Sequence, residues 1–490
     1  MTVALDLPTA APSATLLAAS RRVGVLDDLR TPYAIEAGDG DPLVRVTAPA
    51  TGASVAWPAG LDAAPAVAAA LEVAGRAEPL PVFARVLADA QLQPLLDERR
   101  GPWRPVRAVT AADGTALASV WRSERGDLAL PFDPDEAILN LRSERYVEIL
   151  KPAASRGLKR GAMLAYYRAR PLLPRRLQIA LRRQFARLQA RTPFPRWPAE
   201  TALHDLQAVV AGMLADVAGR PLPAIAAWPA GHRWAMVLTH DVELQLGHDH
   251  LQQVADAERR LGFRSAWNFV PRRYAIDDEL LARLRADGFE IGVHGLYHDG
   301  RDLESLELLR ERGPAMREAA ERWGAVGFRS PATHRRWEWM PLLGFDYDSS
   351  SPDTDPFEPQ AGGCCSWLPF FNGELVELPI TMAQDHTLFV ILRRDERAWI
   401  EKAELLREHG GMALIDTHPD YLVDERMRDA YLRLVERFAG DDTVWKALPR
   451  DVSAWWRQRA ASELQPAADG WQVTGPAAGQ ATIELVKGSW

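Results

Sequence analysis

From Trp234 onward, short apolar runs alternate with helical patterns at intervals of roughly 25 residues, and this alternation limits the fold more than any other feature. The runs WAMVLTH, RSAWNFV, FEIGVH, AVGFRS, FDYDSS, LVELPIT and GMALIDTH read as strands. The patterns HLQQVADAERRL, DELLARLRADG, LESLELLRERGPAMREAAERW, AWIEKAELLREHG and ERMRDAYLRLVERF read as the helices between them. Repeated βα units imply a mostly parallel sheet or barrel, with function at the loops that follow the strand C-termini.

Polar residues recur at those ends. Thr239, His240, Asp241 and Glu243 end the first run, His294 and His298 follow the third, Arg329 ends the fourth, and His418 with Asp420 ends the last. Ionised carboxylates beside a histidine at the end of a buried strand need a cation or a proton to share. Residues 241 and 243 lie on the same side of an extended strand, so both can face one site. A His-x-x-x-His pair followed by a helical turn would put both imidazoles on one face, a spacing that suits a divalent metal. With a carboxylate added, three protein ligands leave one position open for water, as in catalytic rather than structural zinc sites. Taken singly, each residue is more often a satisfied polar group; their recurrence at strand ends points to a site.

At 490 residues the chain exceeds the size at which single cores usually divide. Residues 1–19 read as a flexible leader, 20–130 as a small α+β domain with a helical pattern over Ala64–Ala74, and 131–220 as a basic helical connector. The barrel spans 230–460, and 461–490 form a tail in which WQVTG and ATIELVKG are expected to make a hairpin. The start of the chain shows no export signal, no run of about 18 apolar residues occurs, and the only cysteines, Cys364 and Cys365, are adjacent, which argues against a disulfide framework. These features lead to the expectation of a cytoplasmic protein.

Charge is uneven. From Lys151 to Arg196 thirteen Lys and Arg occur with no acid, leaving the remainder at −21 against an overall −8. No nucleic-acid partner is expected. Residues 159–191 combine arginines with Leu, Ile, Phe and Tyr at helical spacing, which leads to the expectation of peripheral contact with an anionic membrane; the bland alternative is a basic face packed against the chain's own acidic remainder.

Five blocks, LTHDVE, HGLYH, GFRSPA, FDYDSSSPDTDPFEP and LIDTHPDY, together resemble the polysaccharide deacetylase family (NodB-homology, carbohydrate esterase 4), with the resemblance covering Trp234 to Trp456. It implies an α/β fold, a distorted (β/α)7 barrel, with a divalent metal, expected to be Zn2+, and hydrolysis of acetyl groups on an N- or O-acetylated sugar in bacterial surface-polysaccharide biosynthesis. It further implies Asp241 as general base, Glu243, His294 and His298 as ligands, Arg329 orienting Asp241, Asp348 steadying a proton-donating His418, and Trp367 and Leu414 lining an acetyl pocket. Val242 stands where the family's first block usually has its second aspartate, so the roles of Asp241 and Glu243 could be exchanged. The competing readings are a metal-independent C–N hydrolase acting on a small non-sugar amide and a catalytically silent glycan-binding module.

Overall fold

The computed structural model describes residues 24–36, 42–47, 52–59, 65–150, 174–467, 470–486 and 490. The leader and the AMLAYYRAR stretch of the connector lie outside them. Seven strands that pair in parallel carry the second half of the chain: Trp234–Val242, Ser265–Phe269, Glu290–His294, Gly327–Arg329, Tyr347–Asp348, Leu375–Glu377 and Met412–Thr417, here called the first to the seventh. In space the seventh lies beside the first, and the second to the sixth follow on its other side in chain order. Phe370–Asn372 forms an antiparallel hairpin with the sixth, and Val444–Ala447 adds an eighth parallel strand, paired with the start of the first. After the sixth strand, the N–H groups of Thr381 and Met382 donate to Leu414 O at 3.2 and 3.1 Å, which curls the sheet toward its own far edge.

Both faces of this sheet are covered, which is why its strands read as nearly continuous apolar runs rather than alternating ones. Trp234, Met236, Leu238 and Val242 pack with Leu251 and Val254 of the Gln245–Arg260 helix and with Leu281 and Phe438. On the opposite face Ala235 and Val237 pack with Tyr347, Val376, Leu378, Met412 and Leu414. Three helices of this half start on side-chain caps, Asp277 accepting from Glu279 N, Ser305 from Leu308 N and Asp424 from Arg426 N. The Gln245–Arg260 helix has no such cap of its own, since Leu244 stands at that position.

Strands between Ala34 and Ala129 form an eight-stranded sheet in which, among the described residues, only Ser54–Pro58 and Leu128–Ala129 pair in parallel. The helix expected over Ala64–Ala74 is instead a strand, Val67–Leu71, paired antiparallel with Leu80–Ala84 and Trp103–Ala111. Its alanines favour helix locally, but pairing on both sides inside a sheet overrides that weak preference. The Ala202–Ala218 helix packs Leu203, Leu206, Val210 and Met213 into the same core as Val55, Trp57 and Val82. In the tail, WQVTG does not pair with ATIELVKG: Gly470–Thr474 forms its hairpin with Glu463–Ala467, and Ile483–Val486 joins Leu222–Ile225. Tyr146 OH donates to Gly363 O at 2.9 Å, and Arg335 Nη2 to Glu144 Oε2 at 2.8 Å, fixing the N-terminal half against the parallel sheet. No described helix is long and apolar enough to cross a membrane.

Candidate active site

Alternation along the first strand separates two neighbours that sequence reading grouped together. His240 turns to the helix-covered face, stacks on Trp267 with ring centres 4.1 Å apart, and contacts Thr417 Oγ1 and Glu258 Oε1 at 2.7 and 2.8 Å. It is a satisfied buried residue outside the site. Asp241 points the other way. Its Oδ1 accepts from Asn268 Nδ2 at 2.8 Å and lies 3.3 Å from Arg329 Nη1, while Oδ2 is 3.6 Å from His294 Nδ1. Burial raises the pKa of this carboxyl, but the neighbouring His294, Arg329 and His418 outweigh burial and hold it below its ordinary value.

Arg329, fully buried at the end of the fourth strand, donates Nη1 to Thr239 Oγ1 at 2.7 Å and its Nε and Nη2 to Ser349 O and Oγ, each at 2.8 Å. The same Nη1 is 2.8 Å from Asp416 Oδ1, so one guanidinium is shared by two carboxylates.

Glu243 lies one residue past the first strand, in a loop fixed from outside. Asp420 accepts from Glu243 N at 3.0 Å, Leu244 N at 3.2 Å and Gly247 N at 2.8 Å, capping the uncapped helix from across the site. Glycine at 247 leaves room for this carboxylate, because a Cβ there would lie 2.7 Å from Asp420 Oδ2 and something would have to shift. Burial opposes ionisation of Glu243, yet the adjacent His298 and the nearby His418 charge keep the carboxyl well below its ordinary pKa.

His294 ends the third strand. Its Nδ1 lies 3.1 Å from Arg329 O; because a carbonyl only accepts, the proton is assigned to Nδ1, and the buried Nε2 is left without a hydrogen-bond partner. Burial lowers the His294 pKa to about 4, so this imidazole is neutral near pH 7. No helical turn brings His298 beside it. A loop does so, with Gly295 at φ 62° and His298 itself at φ 54°, and the two rings stand 4.9 Å apart. His298 Nε2 is 2.8 Å from Glu243 Oε1 without hydrogen-bond alignment. Ligand atoms of Glu243, His294 and His298 all fall within 4.8 Å of one another. One carboxylate and two imidazoles, with the buried Nε2 atoms of both histidines lacking a hydrogen-bond partner, fit a divalent ion with an open coordination position.

His418 follows the seventh strand. Asp385 takes its Nδ1 at 2.7 Å and its backbone N at 2.8 Å, while Nε2 faces Glu243 Oε1 at 3.6 Å. Burial would lower its pKa, but Asp385 and Asp416 push it well above the ordinary histidine value. Asp385 thus occupies the place expected of Asp348. Strand alternation explains the difference: Tyr347 points into the face that holds Leu414, so Asp348 points away and meets Ser350 Oγ at 2.6 Å.

Trp367 and Leu414 do not line the site. Trp367 is buried against His204, ring centres 3.9 Å apart, and its carbonyl accepts from Met412 N, at the opposite end of the strand that leads to His418. Leu414 pairs in register with Val237, a layer below Thr239 and Asp416, and belongs to the packed interior.

Asp385, Asp416 and Asn268 were missed in the sequence. Period-two spacing from His418 could have flagged Asp416, and the same spacing in WNFV could have flagged Asn268. Asp385 carries no such signal, because it caps a π-helical segment, His386–Leu392, between strands.

No family model matches the chain, and no curated protein matches it. Solved structures do. A Mycobacterium smegmatis protein described as a polysaccharide deacetylase is 21% identical and covers 48% of this chain and 93% of its own, with a TM-score of 0.41. Puue allantoinase is 16% identical over 47% of this chain and 92% of its own, with a TM-score of 0.39. A Pseudomonas aeruginosa protein, also described as a polysaccharide deacetylase, is 18% identical over 50% and 97%, with a TM-score of 0.39.

Proposed function

We propose that this chain is a metal-dependent hydrolase that removes acetyl groups from an N- or O-acetylated sugar. One observation carries the reading: the donor set Glu243, His294 and His298 adjoins a carboxylate held by Arg329, Asp241, and an imidazole held by a carboxylate, His418 with Asp385. Glu243, His294 and His298 would hold a divalent ion, zinc by the nature of these donors, which would supply a Lewis acid for the acyl oxygen and for a water molecule. Asp241 accepts the proton of the attacking water, kept ionised and aimed by Asn268 and Arg329. His418, oriented by Asp385, donates a proton to the departing amine or alcohol.

The same proposal includes a (β/α)7 barrel over residues 230–460 as the catalytic unit, following a small domain (20–130) and a basic connector (131–220). It also includes a cytoplasmic setting in surface-glycan biosynthesis, with residues 159–191 touching an anionic membrane. Support for the contact comes from the Arg175–Gln189 helix, where Leu177, Leu181 and Leu188 are 44%, 41% and 59% exposed, spaced along one helical face. The part of that segment before Pro174 lies outside the described residues.

Acetate release from acetylated sugars, nucleotide sugars and lipid-linked glycans, measured before and after metal removal, tests the activity. The expected result is release that disappears with the metal and returns when zinc is restored. No acetate from any substrate, or an unchanged rate without metal, overturns the proposal. For the membrane contact, binding to anionic but not neutral vesicles is expected, and binding to neither ends it.

A further inference from the structure

The proposed chemistry leaves a buried carboxylate beside Asp241 and Arg329 without a task. Asp416, on the seventh strand, lies two residues before His418, whose backbone is still extended, and is fully buried. Arg329 Nη1 is near its Oδ1, yet neither Asp416 oxygen receives an aligned hydrogen bond. A buried carboxylate in this state calls for a further cation or proton donor. Two other atoms face the same space. Asp241 spends Oδ1 on Asn268 and Arg329, which leaves Oδ2. His418 spends Nδ1 on Asp385, which leaves Nε2, and a carboxylate behind the far nitrogen is how metal-ligating imidazoles are commonly oriented.

We propose that Asp241, Asp416 and His418 form a second divalent-cation site, and that excess zinc filling it stops the reaction. Their ligand atoms all lie within 4.8 Å of one another. The two triads adjoin, with Asp241 Oδ2 3.6 Å from His294 Nδ1 and Glu243 Oε1 3.6 Å from His418 Nε2. Two carboxylates and an imidazole suit zinc. The guanidinium beside Asp416 repels a cation, so this site is the weaker of the two. An ion held there occupies the proposed base and the proposed proton donor together while the first ion stays in place. Only this inhibitory consequence rests on the deacetylase reading; the binding does not.

Equilibrium dialysis of the metal-stripped full chain against zinc, with metal counted per chain, tests the site. The expected result is one tight ion followed by a second, weaker one, with acetate release rising over the first and falling over the second. Asp416→Asn should keep the tight ion and shift the second binding step, and the inhibition, by more than about tenfold. Asp416→Ser is the check if the asparagine variant loses the tight ion. His298→Ala should lose the tight ion and keep the weaker one. Saturation at one ion per chain, or a second ion indifferent to both Asp416 substitutions, overturns the site. Two ions without acetate release from any substrate would sink the deacetylase reading and leave the site standing.

Discussion

Replacing Asp420 with alanine should weaken the fold and loosen Glu243 together, because one carboxylate serves three backbone donors. Glu243 N, Leu244 N and Gly247 N reach it at 3.0, 3.2 and 2.8 Å. Leu244 is 44% exposed, so water replaces its bond, whereas the Gly247 donor is buried. Loss of a helix cap costs about 1 kcal/mol and a buried donor left without an acceptor about 1–3 kcal/mol, which together give roughly 2–4 kcal/mol. In a unit of this size that lowers the thermal midpoint by on the order of 10 °C. Gly247→Ala sharpens the test. A helical glycine replaced by alanine ordinarily gains about 0.5–1 kcal/mol, but here the new Cβ would sit 2.7 Å from Asp420 Oδ2 and the change should destabilise. In the Asp420→Ala background the obstruction is gone and the ordinary gain should return, a coupling of about 1–3 kcal/mol. Urea unfolding of the four proteins, followed by circular dichroism and tryptophan fluorescence, measures it. Asp420→Ala within about 0.5 kcal/mol of the parent, or additive effects of the two changes, would refute the capping argument.

His294→Ala, His298→Ala and Glu243→Gln should each lose the tight metal ion, counted by elemental analysis of the purified chain; full occupancy in any of them removes that residue from the ligand set. Asp241→Asn should keep the ion and lose roughly a hundredfold or more in acetate release, and metal loss there with retention in Glu243→Gln would exchange the two roles. Asp385→Asn should lower the rate with metal unchanged, since Asn cannot accept from both His418 Nδ1 and its backbone N–H; an unchanged rate would detach Asp385 from the reaction. Burial, with Glu358 nearby, raises the Asp355 pKa to about 8. The folded chain therefore holds a proton that the unfolded chain releases, and this contribution to stability is lost as pH rises from about 4 to about 8. Asp355→Asn imitates the protonated form and keeps the acceptor for Phe357 N, so its stability should fall less over that range; parallel pH curves in urea unfolding would contradict the assignment.

The sequence determined by itself where the strands of the second half lie, since burial on both faces leaves continuous apolar runs. It also indicated which strand ends meet: Asp241, Glu243, His294, His298, Arg329 and His418 do come together. Period-two spacing is a property of one strand, and that made the shared facing of 241 and 243 legible. Convergence of separate elements is not such a property. That Asp385 and not Asp348 holds His418, that Trp367 lies at the far end of the seventh strand, and that a loop unites the two histidines were decided by strand order, by the curl of the sheet and by left-handed backbone at Gly295 and His298. The Val67–Leu71 strand makes the same point, because an alanine-rich segment with helical preference pairs on both edges once distant strands are in place. Local preference is worth tenths of a kcal/mol per residue, whereas the burial and hydrogen bonds that override it come from residues far away in the chain and exist only in the folded protein.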